Sequence, residues 1–428
     1  MKGLSNHKVI TNFYRRNFLY LALATVLIIS FESCEKNENK AIELNFTSWR
    51  VDDVDEMNRI NAQFTALYPN IKINFSSPGD IIYDSVVSSN LAKGVGADLI
   101  FLWSYDRGRA LYNAGYLADL TTVVPNLNAY PKTPLAAWTT ETGITYGSPS
   151  VGVTHGVYYN KSLFSKYQIQ EPTNWTEFLA ACEILKTNGE TVIAQGAGGT
   201  GWTLNRVIYC GLGANFYGGE TARQALINGT QKLTDANFID AFNLVNSLKK
   251  YFPTGYETLD YGGARDLFAA GKAAIFIGGS WEISLFNERG LNSTNLGWFA
   301  PPPKNAGDKL QYCFQVDAGI GVNKQSKNYD AAITYLKWLS GIEYGHGIMN
   351  ELPGFFSYTP GAFRVTNLLA QEMFDASKNA TLTVRLMDEK LSASSPTGDA
   401  IMSEGLRQMI LGILTPEQAA AYVQSRLK

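Results

Sequence analysis

The chain has 428 residues, 45% of them hydrophobic and 17% charged, with a formal net charge of −2 at neutral pH. That length is more than one core needs and suits two domains. A slightly acidic balance without a basic run argues against nucleic acid or an anionic lipid surface as the main partner. Four cysteines and three histidines in unrelated contexts give no disulfide framework and make zinc or His-dependent catalysis an unfavoured reading.

Residues 1–33 read as an export leader. Lys2, Lys8, Arg15 and Arg16 form its basic start, and Phe18 to Ile29 is an apolar run shorter than the about 20 residues of a membrane span. The run ends in Phe31-Glu32-Ser33-Cys34, a small residue before a cysteine, which resembles a bacterial lipoprotein processing site with Cys34 as the lipidated residue. The bland alternative is a plain secretory leader with an incidental cysteine. Arg15-Arg16-Asn17-Phe18-Leu19 also resembles a twin-arginine export motif, with Tyr14 and Tyr20 off its pattern. Residues 34–41 are polar and read as a flexible tether. No later apolar stretch approaches the length of a span, so the mature chain is expected to be soluble apart from its anchor.

Strand and helix signals then alternate. Leu44 to Trp49 predicts a strand, and Asp53 to Leu67 a helix with Met57, Ile60, Phe64 and Leu67 on one face. Ile71, Ile73 and Phe75 alternate as the next strand; Asp80 to Lys93 follows as a helix, Leu99 to Trp103 as a buried strand, and Arg107 to Ala114 as a third helix. This order implies right-handed crossovers onto a parallel sheet. Tyr146 to Asn160 is extended and reads as a crossing between domains. Pro172-Thr173-Asn174 starts a helix with Trp175, Phe178, Cys182 and Leu185 on its apolar face. Further on, Ala264 to Ala270 and Asp330 to Leu339 read as helices, Ala273 to Ile277 and Gly319 to Val322 as strands, and Pro301 to Gly307 as a loop. Thr415-Pro416-Glu417-Gln418 is a capping box with proline at the first helical position.

Four tryptophan segments sit at strand ends or helix starts: Trp49-Arg50-Val51-Asp52-Asp53, Trp103-Ser104-Tyr105-Asp106-Arg107, Gly199-Thr200-Gly201-Trp202 and Gly278-Gly279-Ser280-Trp281-Glu282. In open α/β sheets ligands sit outside the carboxyl ends of strands. An indole beside a carboxylate and a guanidinium suits a sugar ring, with its apolar C–H face and hydroxyl rim. Any one of these tryptophans alone is more simply explained as packing; four in similar topological positions favour a shared site. Buried apolar area at about 25 cal/mol per Å² and charge-assisted hydrogen bonds of about 1.5–3 kcal/mol, less ordering costs, lead to an expected affinity of about −8 kcal/mol, micromolar. Gly196-Ala197-Gly198-Gly199-Thr200-Gly201 matches a dinucleotide fingerprint, but it lies mid-chain with no acid ending a following strand, so no cofactor is expected.

Taken in order, several pieces resemble the extracellular solute-binding proteins of sugar ABC importers. They are Gly96 to Phe101 through Ala114-Gly115-Tyr116-Leu117; Gly156 to Lys161 with Pro172 to Trp175; Phe268 to Ala274 through Gly279-Ser280-Trp281; and Ala300 to Lys304. The resemblance runs over roughly 41–428. It implies an α/β, two-lobed periplasmic-binding-protein-like fold (type II), each lobe a mostly parallel sheet flanked by helices, with the ligand cleft between lobes. The implied division is 42–152 and 318–354 for the N-terminal lobe, 153–317 and 355–428 for the C-terminal lobe. By resemblance, Trp103, Asp106 and Arg107 match a ligand-contacting motif, Trp281 a second stacking residue, and Trp202 an aromatic contact. Thr154 and His155 fall where relatives have an acid contacting sugar, and that acid is absent here. Asp52 and Asp53 lie near a polar contact after the first strand; Trp49 and, at a later crossing, Asp317 complete the candidate set. The implied protein is a monomeric, non-catalytic receptor, tethered to the membrane, that passes a carbohydrate to ABC permease subunits. Alternatives are the same fold with a non-sugar solute, a secreted glycan-active enzyme, and a glycan collector or sensor without a transporter.

Overall fold

The structure is a computed structural model that describes residues 41–361, 364–392 and 396–427. The leader, Cys34 and nearly all of the expected tether lie outside the described residues. No helix among the described residues is long and apolar enough to cross a membrane.

The strands are β1 (Ile42–Thr47), β2 (Ile71–Ser76), β3 (Leu99–Trp103), β4 (Ser148–Asn160), β5 (Ile275–Gly279), β6 (Leu296–Phe299), β7 (Gln311–Val322), β8 (Phe356–Ser357) and β9 (Thr381–Thr383). Helices cover them, among them Val54–Leu67, Asp80–Ala92 and Tyr329–Leu339 in the first lobe and Trp175–Thr187, Ala236–Leu248 and Gly398–Ile410 in the second. The periodicities explain most of this. Leu44 and Phe46 of β1 are fully buried, as are Ile60 and Phe64 one turn apart on the following helix. Leu67, expected on that face, is 61% exposed at the end of the helix, while Met57, Ile60 and Phe64 are buried. Asn174 caps its helix by accepting from the Glu177 N–H at 3.1 Å. The Thr415–Gln418 box forms in both directions.

The first lobe is parallel where expected: β1 pairs with β2 and β3 in register. The rest of the main sheet runs the other way. Its order is β2-β1-β3-β7-β4-β5, with β3–β7, β4–β7 and β4–β5 all antiparallel. The reason is topological. β4 leaves the first lobe and β7 returns to it, each as one long strand, and a returning strand pairs antiparallel with no helical crossover. So the strand expected at Gly319 to Val322 is only the end of β7, and the extended segment at 146–160 becomes β4.

These two strands join the lobes. The first half of β4 pairs with β7, and its second half pairs with β5 and β6. Between Pro149 and Gly152 the register slips twice. Proline cannot donate to the ladder there, and a bulge bends and twists the strand that carries it. Beyond that bend the side chains divide by strand parity. Val157, Ile275 and Ile277 enter one core with Phe178, Val245 and Leu406. Tyr158 and Phe276 enter a second core, under Phe286 and Met373. The first lobe has its own core, from Leu44 and Phe64 to Ile320 and Leu336.

Candidate functional site

A cleft of about 460 Å³ opens between the lobes. Its walls come from the turns that follow β1, β3 and β5, and Asp317 of β7 lies at its base. Trp49, Trp103, Trp202 and Trp281 all line it, together with Asp52, Arg107 and Asp317. Seven of the residues picked out in the sequence therefore meet around one opening, though they lie far apart along the chain.

The indoles are not equivalent. Trp49 is 6% exposed and stacks on Trp103, with ring centroids 3.5 Å apart and planes 13° from parallel. The Arg107 guanidinium lies 4.0 Å from the centre of the Trp103 ring and is held by Asp84 at 2.6 Å. Two groups this close cannot share one face of an indole. Trp103 is thus sandwiched, and offers the cleft mainly an edge. Trp281 is half-buried. Its Nε1–H donates to the Tyr261 hydroxyl at 3.0 Å, and its ring meets His155 edge-on at 5.3 Å. The ring folds back over Gly279, where a Cβ would sit 1.9 Å from the indole, so only glycine ends β5 in this way. Trp202 packs against Tyr261 with centroids 5.0 Å apart.

The polar lining is dense and mostly self-paired. Arg206 forms two hydrogen bonds to Asp399, each 2.8 Å. Arg206 lies in the π-helical turn Leu204–Tyr209, an arrangement that recurs at functional sites. Burial pushes the Asp399 carboxyl up, but the Arg206 charge and hydrogen bonds outweigh it and hold the group below its usual range. Arg265 reaches across the cleft, 3.7 Å from Asp52 and 3.8 Å from Glu282. Glu282 is 2% exposed and accepts from Tyr261 at 2.7 Å; burial raises its pKa, partly offset by Arg265. Asp317 is raised by burial as well, with Arg385 opposing the shift most strongly among the charges.

The remaining expected residues do not line the cleft. Asp53 is buried and takes both arms of Arg50, at 2.6 and 2.7 Å, which fixes the turn after β1. Asp106 opens the helix Asp106–Asn113 and is half-buried. Thr154 is fully buried, donating to the Cys313 carbonyl at 3.0 Å while its own N–H donates to Ser280 Oγ. His155 is 1% exposed behind Trp281, and burial, aided by Arg385, pulls its pKa down to about 3. It is a neutral packing residue. The Gly196–Gly201 loop packs tightly on Thr258 and Leu259, and its end delivers Thr200 and Trp202 to the cleft.

Sequence reasoning missed Arg50, Arg206, Tyr261, Arg265, Glu282 and Arg385. Arg50 and Glu282 stood inside quoted motifs. Tyr261 and Arg265 carry a helical i, i+4 spacing that places both on one face, and Arg206 follows Trp202 by one turn. Arg385 lies just beyond β9 with no local pattern to mark it.

A family model described as bacterial extracellular solute-binding protein matches residues 51–345. Among curated relatives, an uncharacterized ABC transporter extracellular-binding protein of Pyrococcus horikoshii is 25% identical over 248 residues, which is 56% of this chain and 57% of the relative. The chain thus spans little more than half the length of that relative. A multiple sugar-binding protein of Streptococcus mutans is 22% identical over 332 residues, 75% of this chain and 76% of the relative. Among solved structures, a chitin oligosaccharide binding protein superposes with a TM-score of 0.75 at 22% identity, covering 90% of this chain and 98% of the other. That likeness establishes the shared two-lobed α/β fold.

Proposed function

The chain belongs to the bacterial extracellular solute-binding protein family, and on that premise we propose that it is the carbohydrate receptor of an ABC importer. It captures a mono- or oligosaccharide between its lobes and delivers it to permease subunits as a monomer. It acts by binding and carries out no reaction. One observation carries the carbohydrate assignment: four tryptophans and a dense set of hydrogen-bonding charges surround a single interlobe cleft. Flat apolar faces beside paired donors and acceptors match a sugar ring better than they match a hydrophobic solute. The names of the sugar-binding relative and of the chitin oligosaccharide binding protein support the same ligand class.

We assign the lobes as 42–152 with 318–354 and 153–317 with 355–428. The separate side-chain cores on either side of the β4 bend support two lobes, with Phe355 and Val384 packing into the first-lobe core. Closure about β4 and β7 brings Trp49, Trp103 and Asp52 toward Trp281, Trp202 and Arg265. A ligand closes the lobes only in so far as it binds the closed arrangement better. We further propose that export is followed by lipid attachment at Cys34, which tethers the receptor to the cell envelope.

A thermal-shift screen of the purified protein against a saccharide panel, followed by calorimetry of the hits, tests the ligand class. A saccharide that raises the melting temperature and binds with micromolar affinity supports it. A response to polyamines, peptides or organic acids with none to saccharides refutes it.

A further inference from the structure

Two charged side chains lining the cleft have no side-chain hydrogen bond or ion pair among the described residues, although most of their neighbours are paired. Arg385 is 9% exposed, and no carboxylate oxygen lies within 4.0 Å of its guanidinium among the described residues. Its Nε has no hydrogen-bond partner among the described residues. Asp317 is 8% exposed and accepts no hydrogen bond among the described residues. Both line the cleft. Both are anchored close to the interlobe strands: Asp317 lies within β7, and the Arg385 backbone N–H donates to the Gln315 side chain of β7 at 3.3 Å.

A buried guanidinium and a buried carboxylate are each costly when left unsatisfied. They feel each other's charge, yet they form no ion pair within 4.0 Å among the described residues. What satisfies both at once is a molecule that offers an acceptor to Arg385 and a donor to Asp317. A hydroxyl does either, so two adjacent hydroxyls on one ring do both. Charge counting narrows the class further. The cleft is lined by five guanidinium groups and five carboxyl groups, so its formal charge already cancels. Asp317, Asp388 and Asp399 all lie within electrostatic range of Arg385, and His155 behind it is neutral. A carboxylate or sulfate on the ligand would answer Arg385 but would face three acids. An ammonium group would answer Asp317 but would face Arg385 and Arg206.

We propose that Arg385 and Asp317 form a recognition subsite at the base of the cleft that grips two adjacent hydroxyls of an uncharged sugar unit and selects against acidic and amino sugars. This rests on the carbohydrate reading above and names the ligand's charge class and the residues that read it. The sugar unit held there is the innermost one, with the indoles of Trp281 and Trp202 beside it. Arg385 donates to one hydroxyl oxygen, and Asp317 accepts from the neighbouring hydroxyl.

The test uses calorimetry on the purified full-length protein and on Arg385→Gln, Asp317→Asn and Trp281→Ala variants. The ligands are the neutral saccharide identified by screening, its uronate and amino-sugar counterparts, and deoxy analogues lacking one hydroxyl at a time. Arg385→Gln and Asp317→Asn each weaken neutral-sugar binding by about 10- to 100-fold, the range of a charge-assisted hydrogen bond. Some deoxy analogue loses a similar factor on the wild type but little on the matching variant, as a coupled pair must. The analogue series on the wild type needs no variant, so the proposal stands or falls even if a substitution fails to fold. Unchanged affinity in both variants while Trp281→Ala weakens binding overturns this inference and leaves the carbohydrate reading standing. A wild-type preference for the uronate or the amino sugar also overturns it. A wild type that binds no saccharide removes the carbohydrate reading itself.

Discussion

Trp281 is the ring whose removal should cost the most affinity. It ends the turn after β5, touches the cores of both lobes, and is partly exposed to the cleft. A fully buried aromatic side chain covers about 150–250 Å², so one indole face amounts to about 75–125 Å². At about 25 cal/mol per Å² that face contributes about 2–3 kcal/mol to a stacked sugar, or about 30- to 150-fold in Kd. Trp281→Ala also empties packed space and removes the Nε1–H donor to Tyr261, so the free protein should lose about 1–3 kcal/mol of stability. Tyr261 still donates to Glu282 in the variant, which keeps the second-lobe wall in place. The assay is titration calorimetry at 25 °C on a variant first shown to melt cooperatively, with Trp281→Phe as an intermediate case. A folded Trp281→Ala protein that binds within threefold of wild type would refute the stacking argument.

Trp103→Ala should show the opposite balance, because both of its faces are already covered by Trp49 and Arg107. Its melting temperature should fall by several degrees while affinity drops less than for Trp281→Ala; calorimetry and thermal melts on the same samples decide the order. His155 has a folded-state pKa of about 3 against an ordinary 6.5, so the unfolded chain takes up its proton first as pH falls. Its contribution is fully present above about pH 6.5 and is lost between 6.5 and 3, at about 1.4 kcal/mol per pH unit. Urea unfolding at pH 7 and pH 4.5 should show a smaller acid loss for His155→Gln than for wild type, and parallel profiles would contradict this. Gly354 has φ of +94°, and a Cβ there would lie 1.9 Å from the Ser280 carbonyl oxygen, while Ser280 donates to the Gly354 carbonyl at 2.5 Å. Gly354→Ala should cost at least about 2 kcal/mol of stability, measured by chemical denaturation.

Much of the site was legible because its signals are local. A buried strand that stops at a tryptophan, or glycines placed just before one, show where the chain turns at a sheet edge. The places of Trp49, Trp103, Trp202 and Trp281 followed from that. Helix limits were less secure. Tyr261–Ala269 starts a turn earlier than its apolar residues show, because Gly262 and Gly263 hide the start and Asp260 caps it through the Gly263 N–H at 2.8 Å.

Length, alternation and turn chemistry by themselves determined that this is an α/β chain long enough for two domains, with aromatic groups at the ends of its strands; the two-lobed arrangement came from the resemblance to a family. Alternation and turn chemistry each depend on residues a few positions apart, whose spacing dictates which face is buried. Only the tertiary structure decided which groups are free to meet a ligand. Asp53 is consumed by Arg50, Trp103 is covered by Trp49 and Arg107, and His155 is sealed behind Trp281. Arg385 reaches the cleft base from a segment with no motif. Whether a charge is spent or available depends on its nearest neighbour in space. That neighbour comes from strand pairings such as β4 with β7, more than a hundred residues apart, which no local pattern records.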